Sequence, residues 1–190
     1  HTRLFGSSTT EGLYPQGGLA VPTPAVDAEH VYAVFGTGDV ACLDHDGKPV
    51  WLRSLAQEFG PFRNRWAMGS SPILARNHLV LQVDQWGQSY LLAMDPKTGD
   101  TLWKTDRDAS VNWSSPLPVQ VGDKTQLVLT GTYQAKGYDA ATGEELWKLN
   151  GLMMQCIPSA VAKGNVAYIV SGRRGFTFAV RLDERRGDLT

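Results

Sequence analysis

Met94-Asp95-Pro96-Lys97-Thr98-Gly99-Asp100-Thr101-Leu102-Trp103 decides the fold, because it recurs. The second copy is Tyr138-Asp139-Ala140-Ala141-Thr142-Gly143-Glu144-Glu145-Leu146-Trp147, and a looser one precedes both at Leu43-Asp44-His45-Asp46-Gly47-Lys48-Pro49-Val50-Trp51. A fourth, Leu182-Asp183-Glu184-Arg185-Arg186-Gly187-Asp188-Leu189-Thr190, reaches the position before the one where its register would place a tryptophan. An Asp that opens a turn accepts backbone N–H bonds, and the Gly supplies a positive φ that other residues resist. Strand formers flank the turn, Ser89-Tyr90-Leu91-Leu92-Ala93 before it and Thr101-Leu102-Trp103 after it, so each copy reads as a β-hairpin. A large indole at a fixed distance from every turn is expected to anchor one unit against the next, its N–H seeking a carbonyl. The expected structural docking set is Trp51, Trp103 and Trp147 with Asp95, Gly99, Asp139 and Gly143.

Working outward, a second landmark repeats: Thr23-Pro24, Ser71-Pro72, Ser115-Pro116 and Ile157-Pro158, with the prolines 48, 44 and 42 residues apart. A period in the forties with four strands per unit is the signature of propeller blades. The strand text runs 25, 31–35, 40–43 and 49–52 in the first unit, then 70–74, 79–83, 90–94 and 101–104 in the second. The third unit offers 116–120, 126–129, 137–139 and 145–148, and the fourth 159–162, 166–170 and 177–181. The expected units are 23–55, 70–108, 114–151 and an incomplete 158–190, after an irregular lead-in at 1–22 with room for one strand of a neighbouring blade. No window carries a helical stripe, so the fold class is all-β: a β-propeller of about four four-stranded blades.

The 190 residues carry a formal net charge of -1, which gives no electrostatic case for nucleic acid or an anionic membrane. No apolar run approaches the ~20 residues that span a bilayer, and no stretch reads as a signal peptide. The first residue is His, which points to processing or to excision from something longer. Cys42 and Cys156 match no metal or redox spacing and read as buried thiols. The histidines lack metal-ligand spacing, and Asp44-His45-Asp46-Gly47 lacks the later ligands of a calcium loop, so no metal site is expected.

The Asp-x-x-Thr-Gly-x-x-x-Trp spacing, complete at Asp95 to Trp103 and at Asp139 to Trp147, resembles the tryptophan-docking motif of PQQ-type β-propeller repeats. That superfamily includes quinoprotein alcohol dehydrogenases and the propeller lipoprotein of the outer-membrane β-barrel assembly machinery. The resemblance implies eight blades in a full ring, of which this chain would be half, and a periplasmic or extracellular location. It also suggests PQQ and calcium as cofactors under one reading. The dehydrogenases it points to carry adjacent cysteines over the quinone, whereas Cys42 and Cys156 lie 114 positions apart. Only structural motif positions match, so the favoured expectation is a non-catalytic binding or scaffold module without cofactor. The alternative is part of a PQQ-dependent dehydrogenase.

In a propeller, the loop between second and third strands and the link into the next blade share one face. On this chain those segments hold the candidate ligand-binding residues Arg63, Arg65, Trp66, Asp84, Gln85, Trp86, Trp113, Tyr133, Gln134, Arg173 and Arg174. The plainer readings are that Asp84 is a turn residue, that the three tryptophans are packing, and that the arginine pairs are solvated surface. The expected partner is a protein or a small polar ligand. Because a half-ring leaves an apolar sheet face at each end, a second copy or a missing half is also expected to complete the ring.

Overall fold

The turn-centred units fold, in a computed structural model that describes residues 18–172, 175–184 and 186–190, into four separate antiparallel sheets. The first holds β1 (Ala25–Val26), β2 (His30–Val34), β3 (Asp39–Asp44) and β4 (Pro49–Ser54) in that order. The second holds β5 (Ile73–Ala75), β6 (His78–Val83), β7 (Ser89–Met94) and β8 (Thr101–Arg107). The third holds β9 (Leu117–Val121), β10 (Lys124–Thr130), β11 (Gln134–Asp139) and β12 (Glu145–Asn150). The fourth holds only β13 (Val161–Lys163), β14 (Val166–Val170) and β15 (Thr177–Arg181). These are successive blades of a partial β-propeller, each pairing strands in sequence order.

Two features differ from the all-strand expectation. Leu55–Phe59 forms one helical turn, α1, which tucks Leu55 into the core and sets Phe59 edge-on to Tyr90 at 5.4 Å. Five residues are too few to print a helical stripe in a sequence. The last segment, β16 (Gly187–Asp188), pairs parallel to β12 of the third blade, so the third sheet has five strands. The expected lead-in at 1–22 lies largely outside the described residues.

Apolar cores lie between consecutive blades. Tyr32, Val34, Val40 and Cys42 of the first sheet meet Leu79, Leu81, Tyr90 and Leu92 of the second. Val80, Leu91 and Ala93 on the other face of the second meet Leu127, Leu129 and Tyr138 of the third. Val128, Ala135 and Trp147 meet Ala167, Ile169 and Leu182 of the fourth. Such two-faced strands explain the continuous apolar text of residues 79–81. At the ends of the series one sheet face is left over, with Val26, Val50 and Leu52 exposed on the first blade and Val161, Tyr168 and Val170 on the last.

The Ser-Pro landmark is an inter-blade staple. Thr23 N donates to Ser71 Oγ at 3.0 Å, Ser71 N to Ser115 Oγ at 2.9 Å, and Ser115 N to Ser159 Oγ at 2.9 Å. The fourth rung uses Ser159 after Pro158, not the Ile157 before it, because only a hydroxyl can accept the bond.

Candidate functional site

The docking motif is built by a bulge. In each of the first three blades the register between third and fourth strands slips just before the tryptophan, skipping Val50, Leu102 and Leu146. One extra residue turns the indole onto the opposite sheet face from the residue two before it, toward the following blade. Trp51 then lies over Gly99 of the next turn, and Trp103 over Gly143. Both glycines have positive φ, 80° and 73°, and a Cβ on either would meet the indole at 2.8 or 2.4 Å. Asp95 accepts from Lys97 N at 2.7 Å and Asp139 from Ala141 N at 2.8 Å, which fixes both turns. The residue two past the tryptophan adds a clasp: Arg53 Nη1 donates to Gly99 O at 2.6 Å, and Thr105 Oγ1 to Gly143 O at 2.7 Å.

The indole N–H groups differ. Trp51 Nε1 donates to Pro96 O at 2.9 Å. The equivalent carbonyl for Trp103 is that of Ala140, which sits 3.1 Å from His78 Nδ1, and among the described residues the Trp103 N–H has no partner. Trp147 donates instead to Gln126 Oε1 at 2.9 Å, and Gln126 Nε2 passes the contact to Asp183 O of the fourth turn. The expectation of a carbonyl for every indole therefore needs correction at Trp103, while at Trp147 the carbonyl is a side-chain amide in place of the next turn's backbone. Trp147 differs in the residue opposite it on the third strand: Cys42 opposes Trp51, Ala93 opposes Trp103, and Gly137 opposes Trp147. Glycine there lets Trp147 collapse onto its own sheet, where a Cβ on Gly137 would meet Nε1 at 2.0 Å. Trp147 ends 2% exposed, and Gly187 of the fourth turn has nothing beside it.

On the other face, the loops between second and third strands meet the inter-blade links. Arg63 N donates to Gln85 Oε1 at 2.8 Å and Trp86 N to Arg63 O at 3.0 Å, joining link to loop. This brings three indoles together: Trp66 lies 5.9 Å from Trp86 and 5.8 Å from Trp113, the second pair edge-on. Trp66 and Trp86 are 40% and 43% exposed, and Trp113 leans over Gly69. Beside them is a hollow of about 410 Å³ lined by Val21, Trp66, Gly69, Trp113, Gln155 and Ile157. Val21, Gly69, Trp113 and Ile157 each stand two residues before a rung of the Thr/Ser staple, so equivalent positions of four blades converge there.

The remaining expected site residues fare differently. Asp84 is buried, with its carboxylate 2.9 Å from Arg107 Nε, and Gln82 Nε2 donates to it at 2.6 Å. Arg107 also donates to the Tyr138 hydroxyl at 3.0 Å and lies over that ring at 5.4 Å. Burial, the largest single influence, would lower the Arg107 pKa, but the charges and hydrogen bonds of Asp84 and Tyr138 together outweigh it and hold the guanidinium above its ordinary value. Burial pushes the Tyr138 hydroxyl up to about 12. Asp84 is thus occupied in a buried ion pair between the second and third blades. Gln85 is buried beside it, Gln134 Nε2 donates to Asn150 Oδ1 at 2.8 Å, and Tyr133 is exposed. Arg63 and Arg65 are exposed, while Arg173 and Arg174 lie outside the described residues. The expected site set contained neither Arg107, which ends β8, nor Gln82, whose signal was a lone amide inside apolar strand text.

Among the described residues no three of His, Cys, Asp and Glu converge as a metal site, and no helix is long and apolar enough to cross a membrane. Cys42 and Cys156 are both free and buried.

Comparison with known proteins agrees with this geometry. No curated protein matches the chain. The crystal structure of BamB from Moraxella catarrhalis superposes with a TM-score of 0.62 at 15% identity, over 87% of this chain and 51% of that one. The quinohemoprotein alcohol dehydrogenase ADHIIG from Pseudomonas putida HK5 gives 0.57 at 19% identity, over 78% of this chain and 28% of that one. The chain therefore spans about half the length of the one structure and about a quarter of the other. The family model described as outer membrane protein assembly factor BamB matches residues 7–151 and 87–188, and the chain belongs to that family of PQQ-like β-propeller repeats.

Proposed function

We propose that this chain is a non-catalytic binding and scaffold segment of a propeller, docking an apolar polypeptide at the tryptophan face. The supporting observation is the asymmetry of the two faces. Val21, Trp66, Trp86, Met153, Met154 and Ile157 are all exposed on the loop-and-link side, whereas no large apolar side chain is exposed in the described Asp-Gly turns opposite. Contiguous exposed apolar surface of this kind marks interaction sites, and Trp is enriched where binding energy concentrates. The charged pair nearest the site, Asp84 and Arg107, is consumed in holding two blades together and is not presented as acid or base. In line with the family's printed description, we place the protein in a bacterial extracytoplasmic compartment. There a second copy, or the rest of a longer protein, covers the two leftover sheet faces as an eight-bladed ring.

Titrating the 190-residue protein with an extended peptide of alternating Phe and Lys, followed by tryptophan fluorescence, tests the binding surface. Saturable quenching that disappears in Trp66→Ala is expected. Quenching by maltohexaose instead would replace the polypeptide with a glycan. The alternative, part of a PQQ-dependent dehydrogenase, draws on the fold likeness to quinohemoprotein enzymes. Isothermal titration with PQQ and calcium together separates it, and micromolar or tighter binding would put the enzyme reading first. Light scattering tests ring completion: a clean, stable monomer of 20.8 kDa would sink pairing of two copies.

A further inference from the structure

Two basic side chains stand at the tryptophan face without a counter-ion. Arg63 and Arg65 belong to the link that carries Trp66, and both are exposed. Other cations of the first two blades are matched: Arg53 with Glu58 at 2.6 Å, Lys104 with Asp106, and Arg107 with Asp84 at 2.9 Å. Among the described residues no carboxylate lies within ion-pair distance of Arg63 or Arg65, and neither guanidinium donates a hydrogen bond. On the next link Asp108 is exposed and pairs with neither.

The fold holds both arginines by their backbone and leaves their charge unused. Arg63 N donates to Gln85 Oε1, and Arg63 O accepts from Trp86 N. Its side chain runs along the loop beside Trp86, with Cδ 3.8 Å from where a Cβ on Gly87 would stand. Arg65 and Trp66 are the central residues of a turn closed by Ala67 N donating to Asn64 O at 3.1 Å. Trp66 N also donates to Asn64 Oδ1 at 3.0 Å. Ala67 ends that turn 1% exposed, in the left-handed region at a φ of 60°, so the turn is rooted in the core while its two central side chains face solvent.

We propose that the tryptophan face selects an acidic polypeptide, an apolar segment flanked by carboxylates that pair with Arg63 and Arg65. This rests on the docking reading given above and names the chemistry of its partner. The apolar residues enter the hollow between Trp66 and Trp113, which supplies contact area but no charge. The two guanidiniums at its rim match carboxylates in fork geometry. A rigid backbone under both arginines reduces the ordering cost that binding would otherwise carry. The chain's net charge of -1 gives no long-range attraction for an anion, so a preference for acidic partners has to come from local groups such as these.

The test uses the 190-residue protein and three labelled peptides that share a Phe-Ser-Phe centre and differ only in flanking Glu, Gln or Lys. Fluorescence anisotropy measures each affinity. At low salt the Glu peptide should bind about fivefold tighter than the Lys peptide, the combined effect of two exposed ion pairs. That margin should fall below about twofold in ~1 M salt, where the Debye length is about 3 Å. Arg63→Gln combined with Arg65→Gln should erase it, because the backbone contacts stay and only charge is lost. Arg76→Gln, in the turn between β5 and β6 on the opposite face, should preserve it. Equal affinities, a tighter Lys peptide, or a margin that survives the double substitution would overturn the acidic partner and leave docking itself standing. No saturable binding by any of the three would overturn the docking reading and this inference with it. A heparin hexasaccharide that binds tighter than the Glu peptide would replace the polypeptide with an anionic glycan.

Discussion

The six tryptophans fall into two sets of three that differ in everything but residue type. Trp51, Trp103 and Trp147 follow a turn at fixed distance, sit behind a bulge and pack between sheets. Trp66, Trp86 and Trp113 follow no common register, stand on loops and links, and touch one another at the surface. A repeated position fixes a repeated contact, so the first set belongs to the ring's construction. The second set breaks the repeat where the exposed face needs apolar surface, and specificity is expected there.

Alanine substitution should separate the sets most strongly. Trp103→Ala empties the socket over Gly143 and is expected to cost about 3–5 kcal/mol, the usual range for such a truncation. Trp86→Ala should cost no more than about 0.5 kcal/mol, as expected of a surface position. Urea melts of the two variants measure both, and equal losses would dissolve the distinction. Asp84→Ala belongs with the first group despite its place in a loop. It leaves Arg107 buried and unpaired, with an expected loss of about 3–5 kcal/mol, whereas replacing both partners with apolar residues should cost far less.

A smaller effect tests why Trp147 departs from its own set. Gly137→Ala places a methyl within 2.0 Å of the indole Nε1, so the ring must swing away from its own sheet toward the fourth turn. The overpacking should cost about 1–3 kcal/mol. Ala93, opposite Trp103, already carries that methyl, so Ala93→Gly is the converse variant and should draw Trp103 inward. Near-ultraviolet circular dichroism reports either movement, and an unshifted Trp147 signal in Gly137→Ala would refute the account.

The docking set was legible because its determinants are local: Asp and Gly set the turn, and distance from the turn sets the tryptophan. The blade period followed from the same repeat, and each of β1 to β15 overlaps a stretch of strand text read from the sequence. What escaped was set by neighbours distant in sequence. Asp84 reads as a turn residue until Arg107, 23 positions on, is brought against it by the sheet register. His78 holds the carbonyl that Trp103 would use, across 62 positions. The fourth turn looks like its sisters in sequence, yet Gly187 and Asp188 pair parallel to β12 of the third blade, a contact between residues 40 positions apart. The tryptophan face was legible as a set of residues on one side, but its hollow depended on a staple whose fourth rung had shifted from Ile157 to Ser159.

The smallest expected effect is acid sensitivity confined to the docking side. Arg53, which clasps Gly99 O, is itself held by Glu58 at 2.8 and 2.6 Å. The hydrogen bonds from Arg53 lower the Glu58 pKa, opposed by partial burial and aided by the guanidinium charge. A carboxyl depressed in the folded state contributes stability that is fully present above its unfolded value of about 4.3 and is lost as pH falls through the folded one. Glu58 is substantially exposed, so solvent and salt screen the pair and its share is small. Urea midpoints between pH 6 and pH 3 should therefore fall slightly less in Glu58→Gln than in the parent. Trp86→Ala, on the opposite face, should follow the parent throughout. A Glu58→Gln curve parallel to the parent's would show that the Arg53 clasp holds the first two blades together without help from the carboxylate.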